Sequence, residues 1–336
     1  MNSDHLHYFK ESMVKSMAAI ELKKSKRKKE VKVKITWKEI KKQKELILLS
    51  IPFVAYVLVF CYAPLVGWVM AFQKYKPVKG LFKSEFIGLD KFKFLFVDNP
   101  DFIRVIRNTL AMGVINLVLS FVFAIGFALV LNEVVRKTPK KFVQTVSYLP
   151  HFLSMIIVCG ILKDVLSIDN GIINEILMGL RIIDKPINFF TIKPLFWWIV
   201  GFGNVWKETG WNSIIYLAAI TSINPDLYEA ASIDGAGRLR RMWNITLPSI
   251  KPTIFILLLI NVGNVLNAGF EIQYLLSNGL VQSVSQTIDI YVLKFGISQA
   301  DFSLGTAAGI FKSVVSIVLI FMANSAAKAA GEERLF

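Results

Sequence analysis

Cysteine is nearly absent, with only Cys61 and Cys159 in 336 residues. Both fall inside apolar runs, which excludes a disulfide framework and a paired CxxC metal site and predicts two small buried side chains. Histidine is also scarce, at three. No cysteine or carboxylate cluster accompanies His151, so no metal site is expected there, and its place beside Pro150 suits a helix-end hydrogen-bonding residue. A GxxxxGK[ST] phosphate loop is missing, which excludes a nucleotide-hydrolysing core of that type. The first 45 residues hold no apolar signal core, and the run that follows is too long to be one. The expectation is a true membrane anchor with no cleavable leader.

Charged residues make up only 19% of the chain and hydrophobic ones 54%, with a mean hydropathy of +0.53. That is more apolar surface than a soluble core of this length uses, so a membrane protein is predicted. Crossing a hydrocarbon layer about 30 Å thick takes roughly 20 helical residues. Six runs qualify, at 46–72, 109–131, 143–162, 195–220, 253–275 and 304–326. The prediction is an all-α protein with a basic segment over 1–45 and a six-span domain over 46–336. The fourth and fifth runs are interrupted by Lys207, Glu208, Asn261, Asn264, Asn267 and Glu271, residues tolerated in a bilayer mainly where they face the bundle interior or a wet cavity.

The net charge of +15 raises nucleic acid as a partner, but the basic residues gather in one tail and in loops rather than on a folded face, so none is expected. Basic loops stay in the cytoplasm. With the amino terminus inside, 24 Lys and Arg fall on the cytoplasmic side and 13 outside. The turn Arg136-Lys137-Thr138-Pro139-Lys140-Lys141 supports the same orientation, although eight of the outer basic residues crowd into 73–107. Both termini are therefore expected in the cytoplasm of a multi-pass plasma-membrane protein. The run Lys23–Lys29 reads as a solvated topology determinant beside lipid headgroups.

The segment 221–252 carries the most specific pattern. Asn224 or Asp226 can cap a short helix, and Leu227 to Ile233 continue it. Asp234-Gly235 supplies a reversal. A second, basic stretch from Arg238 to Ile245 is expected to stop at Pro248 before the next span. Asn244-Ile245-Thr246 matches a glycosylation acceptor, but a cytoplasmic loop makes the match accidental.

This loop resembles the EAA loop of ABC importer permeases, in which Glu-Ala-Ala, three residues, Gly, nine residues and Ile-x-Leu-Pro recur. Glu229, Ala230, Ala231, Gly235, Ile245, Leu247 and Pro248 occupy those positions. The longer form with Asp234-Gly235-Ala236 resembles the carbohydrate-uptake branch, and more narrowly the LplB-type polysaccharide and oligosaccharide permeases. Residues 144–152 (QTVSYLPHF) and 326–328 (AAK) share that similarity, which covers about 46–336. Met242-Trp243 and the basic run 237–240 depart from the pattern on the expected docking surface. The resemblance implies the type I importer fold and a translocation role. It implies a second homologous permease, a separate ATPase dimer that binds the ATP and magnesium, and an extracellular lipid-anchored solute-binding protein. It also implies that Glu229 accepts a hydrogen bond from a basic ATPase residue, and that this chain has no cofactor and no catalytic residue.

A transport path needs polar groups. Asn204, Glu208 and Trp211 fall within about 60° on one helix face, and Asn261, Asn264, Asn267 and Glu271 within about 120° on another. Amides, carboxylates and an indole suit a sugar's hydroxyls and C–H face. In similar maltose-type permeases these two helices contribute sugar contacts, and the matching region includes Asn204, Glu208, Trp211, Asn264 and Asn267. Interhelical hydrogen bonds account for the same residues. Gly305 and Gly309 form a GxxxG that reads as helix packing. A competing class is a secondary transporter or membrane enzyme with Glu208 and Glu271 as proton relays. A third option is import of a peptide or glycerol phosphate ester.

Overall fold

A computed structural model describes residues 41–329 and 331. The basic run Lys23–Lys29 lies outside the described residues. Two compact units divide at Leu65 and Val66. The first holds α1 (Lys44–Val57), continued by a wide π turn over Leu58–Tyr62. Leu46, Phe53 and Phe60 are exposed along it, as befits an apolar helix whose solvent is lipid. Cys61 is exposed on the same run rather than buried, while Cys159 is buried as expected.

The second unit opens on a small hairpin, β1 (Gln73–Lys74) against β2 (Glu85–Phe86). Next comes α2 (Pro100–Asn132), in which Asn99 accepts from the Asp101 N–H and Pro100 takes the first turn, where its missing donor costs nothing. The helices that follow are α3 (Lys137–Tyr148), α4 (Met155–Val165) and α5 (Lys193–Thr221). A short α6 (Pro225–Ile233) and α7 (Arg238–Arg241) precede α8 (Leu247–Gly263), and α9 (Phe270–Leu276) and α10 (Phe302–Ala329) complete the bundle.

Among the described residues, four helical runs are long and apolar enough to cross a membrane: Lys44–Phe72, Pro100–Asn132, Arg238–Gly263 and Phe302–Ala329. The third sequence run is not one straight helix. Lys137–Phe152 and Met155–Val165 meet at a 104° bend, because Pro150 removes a ladder donor and Ser154 restarts the chain by capping the Ile157 N–H. The helix over 195–220 exists as α5 and is long enough to span, but Asn204, Lys207, Glu208 and Asn212 dilute its apolar character. The fifth run also breaks. Helix α8 ends at Gly263, residues 264–269 turn, and α9 restarts after Gly269 at φ +80°.

Pro248 does not stop its helix. The chain runs helically from Arg238 through Gly263, and the wide turn Met242–Thr246 just before Pro248 relieves the clash its ring would make with the preceding turn. Of the GxxxG pair, Gly305 packs on the backbone of Gly296, as read, while Gly309 faces open space.

The core is layered along the bundle. Met112, Phe196, Val200 and Ile272 form a central cluster joining α2, α5 and α9. Ala124, Leu131, Tyr216 and Ile250 form a second, nearer the α6 loop. Phe102, Ile288, Tyr291 and Ala307 form a third at the opposite end of α2. Small residues let the backbones close: a Cβ on Gly113 would overlap the Val265 carbonyl, so α2 lies directly against the 264–269 break.

Candidate functional site

The broken fifth run builds a polar cavity of about 420 Å³. Asn116 and Ser120 reach it from α2, Asn212 from α5, and Asn261, Asn264 and Asn267 from the end of α8 and the turn that follows. The amides are ordered by one another. Asn212 Nδ2 lies 3.4 Å from Ser120 Oγ, and Asn267 Nδ2 donates to Asn264 Oδ1 at 3.2 Å. Asn264 and Asn261 also donate to carbonyls one turn back in α8, at 3.2 and 2.8 Å. Asn261 belongs to the last turn of α8, whereas Asn264 and Asn267 sit in the turn beyond its end, so the break positions the two later amides along the cavity.

The sequence-selected residues divide into groups. Asn264 and Asn267 line the cavity. Asn204 sits behind it, donating to Asn116 Oδ1 at 3.2 Å, and Asn116 in turn donates to the Ala268 carbonyl at 3.3 Å. Glu208 and Trp211 belong to a different cluster. His151 Nδ1 lies 2.8 Å from Glu208 Oε2, and the imidazole stacks on the Trp211 indole at 4.3 Å with 3° between the planes. Lys207 donates to the His151 carbonyl at 2.6 Å and pairs with Glu208 Oε1 at 3.2 Å. These contacts sit at the 104° bend, where they satisfy a carbonyl that the broken helix leaves open. His151 is thus the helix-end residue expected, with an added carboxylate partner. Glu271 is exposed in the first turn of α9, outside the cavity. Asn116, Ser120 and Asn212 were missed. The available signal was an amide and a hydroxyl four residues apart within an apolar run.

At the far end of α5 the chain forms the helix-turn-helix. Asn224 caps α6 by accepting from the Asp226 N–H at 3.1 Å. Gly235 has φ +76°, and the Ala236 N–H reaches back to the Ala231 carbonyl at 2.8 Å, closing a left-handed cap over the helix end. Tyr228 Oη sits 2.9 Å from Thr246 Oγ1, and Arg241 donates to Ser232 Oγ at 2.7 Å. Those two bonds tie α6 to the helix beginning at Arg238. Glu229, Ala230 and Asp234 are exposed, and Ala231 and Ala236 partly so. Leu227 is 50% and Ile233 86% exposed, so α6 presents an apolar face that no described residue covers. Beyond the turn, Ile245 and Leu247 are half-buried beside the exposed Pro248.

A multi-pass helical membrane domain, with a polar cavity between helices and an exposed helix-turn-helix, defines a type I importer permease. The chain belongs to the family described as the binding-protein-dependent transport system inner membrane component, which matches residues 116–330. It is 45% identical over 303 residues to protein LplB of Bacillus subtilis, covering 90% of this chain and 94% of that protein. It is also 43% identical over 326 residues to the Bacillus subtilis polygalacturonan/rhamnogalacturonan transport system permease protein YteP, covering 97% and 99%. A crystal structure of a bacterial ABC transporter involved in the import of the acidic polysaccharide alginate contains a chain that superposes with a TM-score of 0.79. That chain is 40% identical, with 87% of this chain and 98% of it covered. A chain of a bacterial alginate ABC transporter in complex with alginate pentasaccharide-bound periplasmic protein gives a TM-score of 0.81 at 39% identity, covering 89% of this chain and 99% of that one. This chain is thus the transmembrane translocation subunit of an ATP-driven ABC importer.

Proposed function

We propose that the subunit passes an oligosaccharide or polysaccharide fragment through the 420 Å³ cavity, and that it is non-catalytic, moved by an ATPase docked on α6. The exposed, capped and reversed α6–α7 loop is the observation that carries this reading. Its Ala230-Ala231 surface admits a close backbone, its Glu229 offers an acceptor to a basic residue, and Leu227 and Ile233 supply an apolar anchor. Gly235 sets the turn, flanked by Asp234 and Ala236, and Ile245, Leu247 and Pro248 join the loop to α8. The partner ATPase dimer would bind ATP and magnesium. A second homologous permease would complete the pathway, and an extracellular lipid-anchored binding protein would deliver the glycan, with both termini of this chain in the cytoplasm.

Asn264 and Asn267, with Asn116, Ser120 and Asn212, offer paired donors and acceptors to sugar hydroxyls. Asn204 supports that wall. Glu208 and Trp211, with His151, brace the bend, and Glu271 stands at the mouth of α9. A proton-relay role for Glu208 and Glu271 is disfavoured because Glu208 is engaged by two cation-capable neighbours and, among the described residues, no hydrogen bond joins it to Glu271. Proteoliposomes carrying the complete importer should accumulate a labelled acidic or neutral trisaccharide only with ATP and the binding protein present. Uptake driven by a proton gradient without ATP would reject the reading.

A further inference from the structure

A second cavity, of about 360 Å³, lies at the opposite end of the bundle from α6, and its lining is cationic. Arg104 comes from the first turns of α2, Lys193 from the start of α5 and Lys294 from the helical turn preceding α10. Asp101 is the single carboxylate in the lining, and it is already paired with Arg104 at 2.9 Å. Among the described residues, no carboxylate stands within ion-pair distance of Lys193 or Lys294. Lys294 is steered instead by the Phe295 ring, 5.3 Å from its ammonium. Gln282 and Gln286 complete the polar wall.

The cavity is held open by bonds between distant segments. Asn108 Nδ2 donates to the Ser283 and Gln286 carbonyls at 3.0 and 3.1 Å, and Trp197 Nε1 to the Val284 carbonyl at 2.9 Å. Asn99 donates to Tyr291 Oη at 2.9 Å. Segment 281–287 is thereby pinned across α2 and α5, so the lysines project from a braced rim.

We infer that this cavity is an entry site for a carboxylated sugar, a uronic-acid unit of the transported glycan, recognised by Lys193, Lys294 and Arg104 with Gln282 and Gln286 on its hydroxyls. The inference rests on the importer reading, which puts this end of the bundle on the outer face. Three cations against one already-paired acid attract an anion, and cations match carboxylates while amides match hydroxyls. The volume falls in the range of small-ligand pockets. It also accounts for the basic residues crowded into the outer segment 73–107, which orientation alone leaves unexplained: a positive outer surface raises the local concentration of an anionic chain. An acidic patch of the binding protein is the rival occupant, but concavity and the paired amides favour a glycan.

The test uses the assembled importer in lipid nanodiscs, with trigalacturonate and its methyl ester as probes and saturation-transfer NMR as the readout. Wild type should bind the acid, bind the ester more weakly, and lose the difference at high salt. Lys193→Gln/Lys294→Gln should weaken acid binding roughly fivefold to tenfold, the scale of two exposed charge contacts, and leave the ester unchanged. Lys193→Arg/Lys294→Arg, with an unaltered melting temperature, should restore it. No acid binding by wild type, equal binding by the Gln variant, or equal loss for acid and ester would overturn the site. So would a variant that loses only capture of the ligand-free binding protein. Failure here with ATP-driven uptake intact leaves the proposed function standing, whereas acid binding without ATP-driven uptake removes that function and keeps the site.

Discussion

At Gly235 the backbone is left-handed and open space surrounds the position where a Cβ would sit. A larger residue therefore meets strain, not collision. Gly235→Val should cost roughly 1–2 kcal/mol locally, unwinding the cap that Ala236 closes on Ala231. Uptake and ATPase co-purification should fall together, while membrane insertion stays normal. Gly235→Asn, which tolerates this conformation better, should retain most of both. Full substrate-stimulated ATP turnover in the Val variant would detach the loop from coupling. The cavity amides pose a different question, because each also bonds to protein. Asn116 holds both Asn204 and the Ala268 carbonyl, so Asn116→Leu should lower the melting temperature, at about 1 kcal/mol per bond. Asn267 is exposed, and among the described residues its side chain bonds only to Asn264. Asn267→Ala should reduce uptake with little change in melting temperature or complex yield. If uptake is normal, Asn267 leaves the pathway.

Among the elements, the contact between α2 and the 264–269 break decides whether the cavity exists. Gly113 permits it by having no side chain. Gly113→Val should push α2 off the turn, at about 1–3 kcal/mol for overpacking, and should show as low complex yield and early melting. Gly126, on the same helix, has nothing within 4 Å of a built Cβ. Gly126→Ala should be neutral or stabilising, since Gly in a helix interior costs about 0.5–1 kcal/mol relative to Ala. Equal melting of the two variants would show that close packing at Gly113 contributes nothing. The bend at 152–155, begun locally by Pro150 and Ser154, is likewise held by tertiary partners. Lys207, Glu208 and Trp211 on α5 all engage His151, which is why α5 carries polar residues that interrupt its own hydropathy.

For the whole molecule, the excess of basic residues on one side predicts the orientation. In a background without Cys61 and Cys159, a cysteine at Gly237 should escape an impermeant thiol reagent in intact cells and react after lysis. A cysteine at Val78, fully exposed on the hairpin, should react in intact cells. The reverse pattern would invert the topology and with it the assignment of the cationic cavity to the outer face.

Composition, run length and charge asymmetry determined by themselves that this is a helical membrane protein, since the hydrocarbon layer imposes a length and polarity that any single segment must meet. Within 221–252 the cap and reversal over 224–236 were equally legible, unlike the helix that runs on through Pro248: Asn224, Gly235 and the spacing between them act through bonds a few residues apart, and the capped, reversed helix follows from local backbone chemistry. Helical periodicity placed Asn204, Glu208 and Trp211 on one face and 261–271 on another, but a face does not name its neighbour. Only tertiary packing sent Asn204 to Asn116, turned Glu208 and Trp211 onto His151, and broke the fifth run so that Asn264 and Asn267 meet Ser120 and Asn212 across the cavity. The partners that close this region lie as many as 152 residues apart, in the case of Asn116 and the Ala268 carbonyl. Nothing in either segment's own sequence encodes the contact, because it arises when small residues such as Gly113 let two helices close to backbone distance.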